Sequence, residues 1–132
     1  MMIRTATFAA AVCVYLAFYS VALAQPKLPF GPTAQEMLAL PEECQGILGG
    51  DPAKKAYYEQ LLPGLVGPNH YCWGLNFMNR ARFSTDKIEK RFNLESAIGE
   101  FGYVLKHSAP NANGLSQIKA QQDLAVAMLK ML

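Results

Sequence analysis

Proline and glycine cut this chain into segments, and that punctuation limits its possible folds more than any other feature. Stops fall at Pro41, Gly49-Gly50, Pro63-Gly64, Gly67-Pro68 and the run from Ala109 to Gly114. Between them no segment alternates apolar and polar residues with the period of two that a half-buried strand requires. Thr33-Ala-Gln-Glu36 has the capping-box spacing, in which a hydroxyl and a carboxylate satisfy exposed backbone donors, and Met37, Leu38 and Leu40 give the segment an apolar side before Pro41 ends it. Pro41-Glu42-Glu43 suits a new first turn, because proline lacks no donor needed there and the acids face the positive helix end. That turn carries Cys44, Ile47 and Leu48 to Gly49-Gly50. Asp51-Pro52 repeats the start signal, and Ala56, Tyr57, Gln60 and Leu61 run on to Pro63-Gly64. Three short helices are expected.

Longer segments follow. Leu65 to Asn69 reads as a loop, and His70 to Arg82 as a helix with Tyr71, Trp73, Leu75, Phe77 and Met78 spread around much of its circumference, the pattern of a central element. From Thr85 to Ser108, Leu94, Ala97, Ile98, Phe101 and Leu105 recur at intervals of three and four, with Asn93 as the interruption where a kink or break is expected. Ser116 to Leu132 supplies a last helix through Ile118, Leu124, Ala125, Met128 and Leu129. Gly99 and Gly102 each cost about 1 kcal/mol against alanine within a helix, so their spacing implies a side pressed against another backbone, internal or a partner's. The expected fold class is all-α, a small domain of five to six helices over residues 33–132.

The front of the chain carries an address. A head with only Arg4, an apolar run from Ala6 to Ala22, and Ala22-Leu23-Ala24 before Gln25-Pro26 compose a secretory signal peptide over residues 1–24. A retained transmembrane anchor is the competing reading, since about 17 apolar residues approach the roughly 20 that span a bilayer. The Ala-x-Ala site favours cleavage, which discards Cys13. Residues 25–32 hold three prolines and a glycine and form an extended leader. About 108 residues then remain, enough to bury roughly two thirds of the unfolded surface.

After cleavage two cysteines are left, Cys44 and Cys72, and in an oxidising compartment an even pair is most simply one disulfide. Closing that loop removes on the order of 3.5 kcal/mol of unfolded-chain entropy in the polymer model. Two buried free thiols, or a soft metal site of Cys44, Cys72 and His70, are the alternatives, the latter lacking any close paired ligand spacing. With 52% hydrophobic and 17% charged residues the chain is neither disordered nor collagen-like. A formal charge of +2, one unit less without Arg4, gives no electrostatic reason to bind nucleic acid or an anionic membrane.

Gly74-x2-Phe77, preceded by Trp73, followed by Ala97-x3-Phe101 and Pro110, resembles a divergent tetratricopeptide-type repeat over about 40 residues. The resemblance implies an antiparallel helix hairpin over about 70–110. Gly74 and Ala97 would allow its helices to approach closely, while Phe77 and Phe101 would fill the space between successive hairpins. The strings His70-Tyr71-Cys72-Trp73-Gly74-Leu75-Asn76 and Glu100-Phe101-Gly102-Tyr103-Val104-Leu105-Lys106-His107 are also similar to those of small exported bacterial repeat proteins, which implies secretion and helical hairpins but no particular activity.

Candidate chemistry is sparse. Neither His70 nor His107 sits in a catalytic or metal-binding motif, and His107 at a helix end has a sufficient role bonding free carbonyls. No Cys-x-x-Cys-His, phosphate loop or Gly-x-Ser-x-Gly occurs, so no cofactor, metal or catalytic residue is assigned and the chain is not read as an enzyme. The distinctive polar cluster is Asn76, Asn79, Arg80 and Arg82, with Glu95 and Glu100 as candidate facing carboxylates. It serves either as a buried network fixing helix register or, as the repeat resemblance implies, as a groove receiving a peptide carboxylate or an extended segment. Lys87, Lys90 and Arg91, balanced by Asp86 and Glu89, read as plain surface. The function expected is an exported, non-enzymatic interaction module or envelope scaffold with a protein or peptide partner. The alternative is a periplasmic small-ligand or metal-binding protein using His70 or Tyr71, Trp73 and Phe77. A hydrolase depending on His70 or His107 ranks last.

Overall fold

A computed structural model describes residues 27–132. The expected signal peptide and Cys13 lie outside the described residues. Six helices follow an extended start: α1 (Ala34–Met37), α2 (Glu42–Leu48), α3 (Pro52–Gln60), α4 (Pro68–Phe83), α5 (Lys87–His107) and α6 (Leu115–Lys130). Among the described residues there is no strand, and the all-α expectation is met.

The helix starts follow the sequence signals. The Thr33 hydroxyl accepts from the Glu36 N–H while the Glu36 carboxylate accepts from the Thr33 N–H, closing the capping box of α1. Asp51 caps α3 by accepting from the N–H groups of Ala53 and Lys54. Helix α4 begins two residues earlier than its apolar pattern suggests, because Gly67 at φ 66° turns the chain and Pro68 at the first helical position has no N–H to leave unpaired. A side chain at Gly67 would also meet His70 and Tyr103, each 2.9 Å from its Cβ.

Helices α4 and α5 form the centre as an antiparallel pair joined by a short connection. Phe77, Met78 and Ala81 of α4 and Leu94, Ala97, Phe101 and Val104 of α5 are buried, and α6 covers them with Ile118 and Ala125. Gly74 lets the pair close: a Cβ there would lie 2.5 Å from the Phe101 ring. Helix α5 runs unbroken through Asn93, which is buried, so the break that Asn93 could have marked is absent. The internal neighbour expected against Gly99 and Gly102 is not found among the described residues. A Cβ on Gly99 would meet nothing within 4 Å, and one on Gly102 would meet only the side-chain amide of Gln122, which donates to the Ile98 carbonyl.

Cys44 and Cys72 form the expected disulfide, their Cα atoms 5.3 Å apart, and it fastens α2 to α4. Both residues are fully buried, with Leu40 and Ile47 beside them in the core. The other early helices are attached more lightly, since neither α1 nor α3 contains a buried residue. No helix among the described residues is long and apolar enough to cross a membrane.

Candidate functional site

Arg80, in the last turn of α4, has the most elaborate polar environment among the described residues. Its Nε donates to Glu36 Oε1 at 2.7 Å and one Nη to Glu36 Oε2 at 2.9 Å, a two-pronged pairing that suits a planar guanidinium to a carboxylate. The same Nη donates to the Gly31 carbonyl at 3.0 Å and the other to the Pro29 carbonyl at 2.9 Å. The guanidinium beside Glu36 is the main reason that the Glu36 carboxyl is lowered from 4.5 to about 2, the Thr33 N–H helping and partial burial opposing. Glu36 thus caps α1 and neutralises Arg80 at once. The facing carboxylate comes from neither Glu95, which is exposed, nor Glu100.

Between the two bonded carbonyls sits Phe30. Its ring meets Trp73 and Phe77 edge to face, each 5.2 Å between centroids, and the Arg80 guanidinium lies 5.6 Å from the Phe77 ring centre. The face of α4 therefore holds an extended, proline-bearing segment by its main-chain carbonyls and one aromatic side chain. The occupant is the chain's own leader.

Beside this contact is a cavity of about 490 Å³ between the leader, α1 and the α4–α5 connection. Asn76, Asn79 and Arg80 share its lining with Leu28, Glu36 and Phe83. Asn76 is 1% exposed, yet neither its amide nitrogen nor its oxygen has a hydrogen-bond partner among the described residues. Asn79 accepts a long bond of 3.4 Å from Arg82, which is exposed and outside the cavity lining. Of the four polar residues expected together, three meet at one cavity and Arg82 stays at the surface.

On the other half of the α4–α5 pair, His70 Nδ1 lies 2.6 Å from Glu100 Oε2 and its ring stacks on Tyr103 at 3.9 Å. This pairing was not legible in the sequence, where 30 positions separate the two residues. It orients an imidazole, but no further side-chain hydrogen bond leads from His70 to a hydroxyl or thiol among the described residues. His107 bonds the Tyr103 carbonyl through Nδ1, the role expected at a helix end. Tyr71, Trp73 and Phe77 do not form one cluster: Tyr71 turns inward toward Phe101, while Trp73 and Phe77 meet the leader. Among the described residues no three His, Cys, Asp or Glu side chains gather closely enough to hold a metal ion.

A second depression, between α2 and α3, is lined by Gly46, Tyr57 and Tyr58, and there the Tyr58 hydroxyl donates to Glu42 at 2.9 Å. Comparison with protein families, curated proteins and solved structures finds no match to this chain.

Proposed function

We propose that this chain is exported behind a cleaved signal peptide, residues 1–24, and works in the periplasm or outside the cell as a non-enzymatic helical interaction module. In this reading α4 and α5 are a tetratricopeptide-like hairpin whose α4 face holds an extended segment of a cell-envelope protein. The observation that carries it is the treatment of the leader: Arg80 spends two donors on main-chain carbonyls, which any sequence offers, and Trp73 and Phe77 receive a single aromatic side chain. A surface that grips extended backbone in this way suits a docking protein better than a reaction centre. The Cys44–Cys72 disulfide agrees with an oxidising compartment. A partner segment would compete with the leader for Arg80.

The test is competition. Mature protein carrying a photo-crosslinking residue in place of Phe83, which borders the cavity and is exposed, is irradiated in an envelope extract. A discrete adduct is expected, suppressed by excess synthetic peptide spanning residues 27–32 and absent when the label replaces Lys119 on α6. Labelling that ignores the peptide and is equal at both positions would overturn the proposal.

A further inference from the structure

Helix α5 turns one side to the core and leaves a stripe of the other side bare. At about 3.6 residues per turn, Ile88, Phe92, Glu95, Gly99, Tyr103 and Lys106 fall within an arc of about 80°. That arc lies opposite the buried Leu94, Ala97, Phe101 and Val104. Its apolar members are open to solvent, Ile88 at 81%, Phe92 at 58% and Tyr103 at 40%. One exposed apolar side chain needs no explanation, but three along a single helical stripe mark a surface for contact. The middle of the stripe is low. A Cβ on Gly99 would meet nothing within 4 Å among the described residues, and half-buried Gly102 has only the end of the Gln122 side chain beside it. Glycine weakens a helix interior relative to alanine, and no described neighbour of Gly99 offsets that cost. A helix approaching from outside could come closest there.

The stripe carries two charges, Glu95 and Lys106, both exposed and neither in an ion pair with a described residue, although Arg91 lies one turn before Glu95. Glu100, between them in sequence, is committed to His70. Glu95 and Lys106 are placed symmetrically about the point between Glu100 and Phe101, and so are Gly99 and Gly102. A two-fold axis through that point, with helices antiparallel, sets Glu95 of one copy opposite Lys106 of a second, twice over, and Gly99 opposite Gly102. A parallel pair would instead face like charges with each other. We propose that α5 docks antiparallel on the α5 of a second copy of this chain, crossing at Gly99 and Gly102 between two Glu95–Lys106 ion pairs. Phe92 and Ile88 then extend over the C-terminal end of the second α5, removing their apolar surface from water. The docking is independent of the role given to Arg80.

The experiment is sedimentation of the mature, disulfide-linked chain over a range of concentrations. Wild type is expected to pass from the mass of one chain to that of two as concentration rises. Glu95→Lys and Lys106→Glu should each weaken the dimer by about tenfold or more, since each turns two attractions into two repulsions. Mixed in equal amounts, these two variants should associate as tightly as wild type, because every opposed pair is again of opposite sign. Both positions are exposed, so the helical circular dichroism of each variant should match wild type. Gly99→Leu should keep or raise the thermal midpoint of dilute protein, its side chain entering open space, and should remain monomeric. A wild-type chain that is monomeric at every concentration would overturn the proposal. If that monomer sediments with anionic phospholipid vesicles, the stripe belongs to a membrane surface and the proposal is equally lost. A dimer that ignores both charge reversals and Gly99→Leu places the interface elsewhere, as does failure of the mixed variants to associate.

Discussion

Glu36 occupies two roles that the sequence displays unequally. Its place three residues after Thr33 announces the cap of α1, and both bonds of the box are present. Its pairing with Arg80 spans 44 positions, and no periodicity connects a cap to the end of a helix so distant. That pairing makes the leader contact sensitive to acid, and the sign follows from the direction of the shift. The carboxyl titrates at about 2 when folded, below its ordinary 4.5, so its contribution to stability is complete above pH 4.5 and is lost as pH falls from there toward 2. The chain has a single tryptophan, Trp73, and Phe30 rests on it. Tryptophan emission should therefore report release of the leader in that acid window. Glu36→Gln should show weaker leader contact at neutral pH and a flatter pH profile between about 5 and 2, read as the difference in unfolding midpoint from wild type. Identical profiles for the two proteins would mean that the pair does not hold the leader. Phe30→Ala at neutral pH should reproduce the emission change without the acid dependence.

At the level of elements, the early starts and stops were legible because they have local causes: a capping hydroxyl at Thr33, a carboxylate at Asp51, and glycine or proline soon after α2 and α3. What a helix presses against was legible only where shape left a trace. Gly74 was correctly read as a close approach, and the ring of Phe101 occupies the space its missing Cβ leaves. Gly99 gave the same signal but has no internal neighbour among the described residues, since a glycine deep in a helix looks alike whether it faces a neighbour or open solvent. The candidate site divides in the same manner. Asn76, Asn79 and Arg80 were marked by their helical spacing, whereas the leader and Glu36 came to them through tertiary folding. The two glycines give opposite expectations. Gly99→Ala removes backbone freedom from the unfolded chain in open space and should stabilise by about 0.5–1 kcal/mol. Gly74→Ala drives a methyl into a fully buried ring and should destabilise by about 1–2 kcal/mol even after its gain in helix propensity. Chemical denaturation of both variants checks the pair, and a stabilised Gly74→Ala would contradict the packing of α4 against α5.

Across the whole molecule the architecture has two tiers. Helices α4, α5 and α6 share a continuous core of side chains such as Phe77, Leu94, Phe101 and Ile118, each at most 2% exposed. The earlier helices depend on Leu40, Cys44 and Ile47 of α2 and its approach, because α1 and α3 bury no residue of their own. The disulfide spans the seam between the tiers, closing a loop of sequence separation 28 that contains all of α3. Its contribution of about 3.5 kcal/mol in the polymer model is large beside the roughly 5–15 kcal/mol that stabilises a whole domain. Regions with few buried contacts open at lower cost than a packed centre, so reduction should act unevenly. Hydrogen exchange followed by mass spectrometry, with and without reductant, should show residues 33–62 losing most of their protection on reduction while the amides of α4 and α5 retain theirs. The leader should be released in the same step, because Glu36 is carried on α1 and Arg80 would lose its carboxylate. A uniform fall in protection along the whole chain would instead mean one cooperative unit, in which the early helices contribute as much to the core as the central pair.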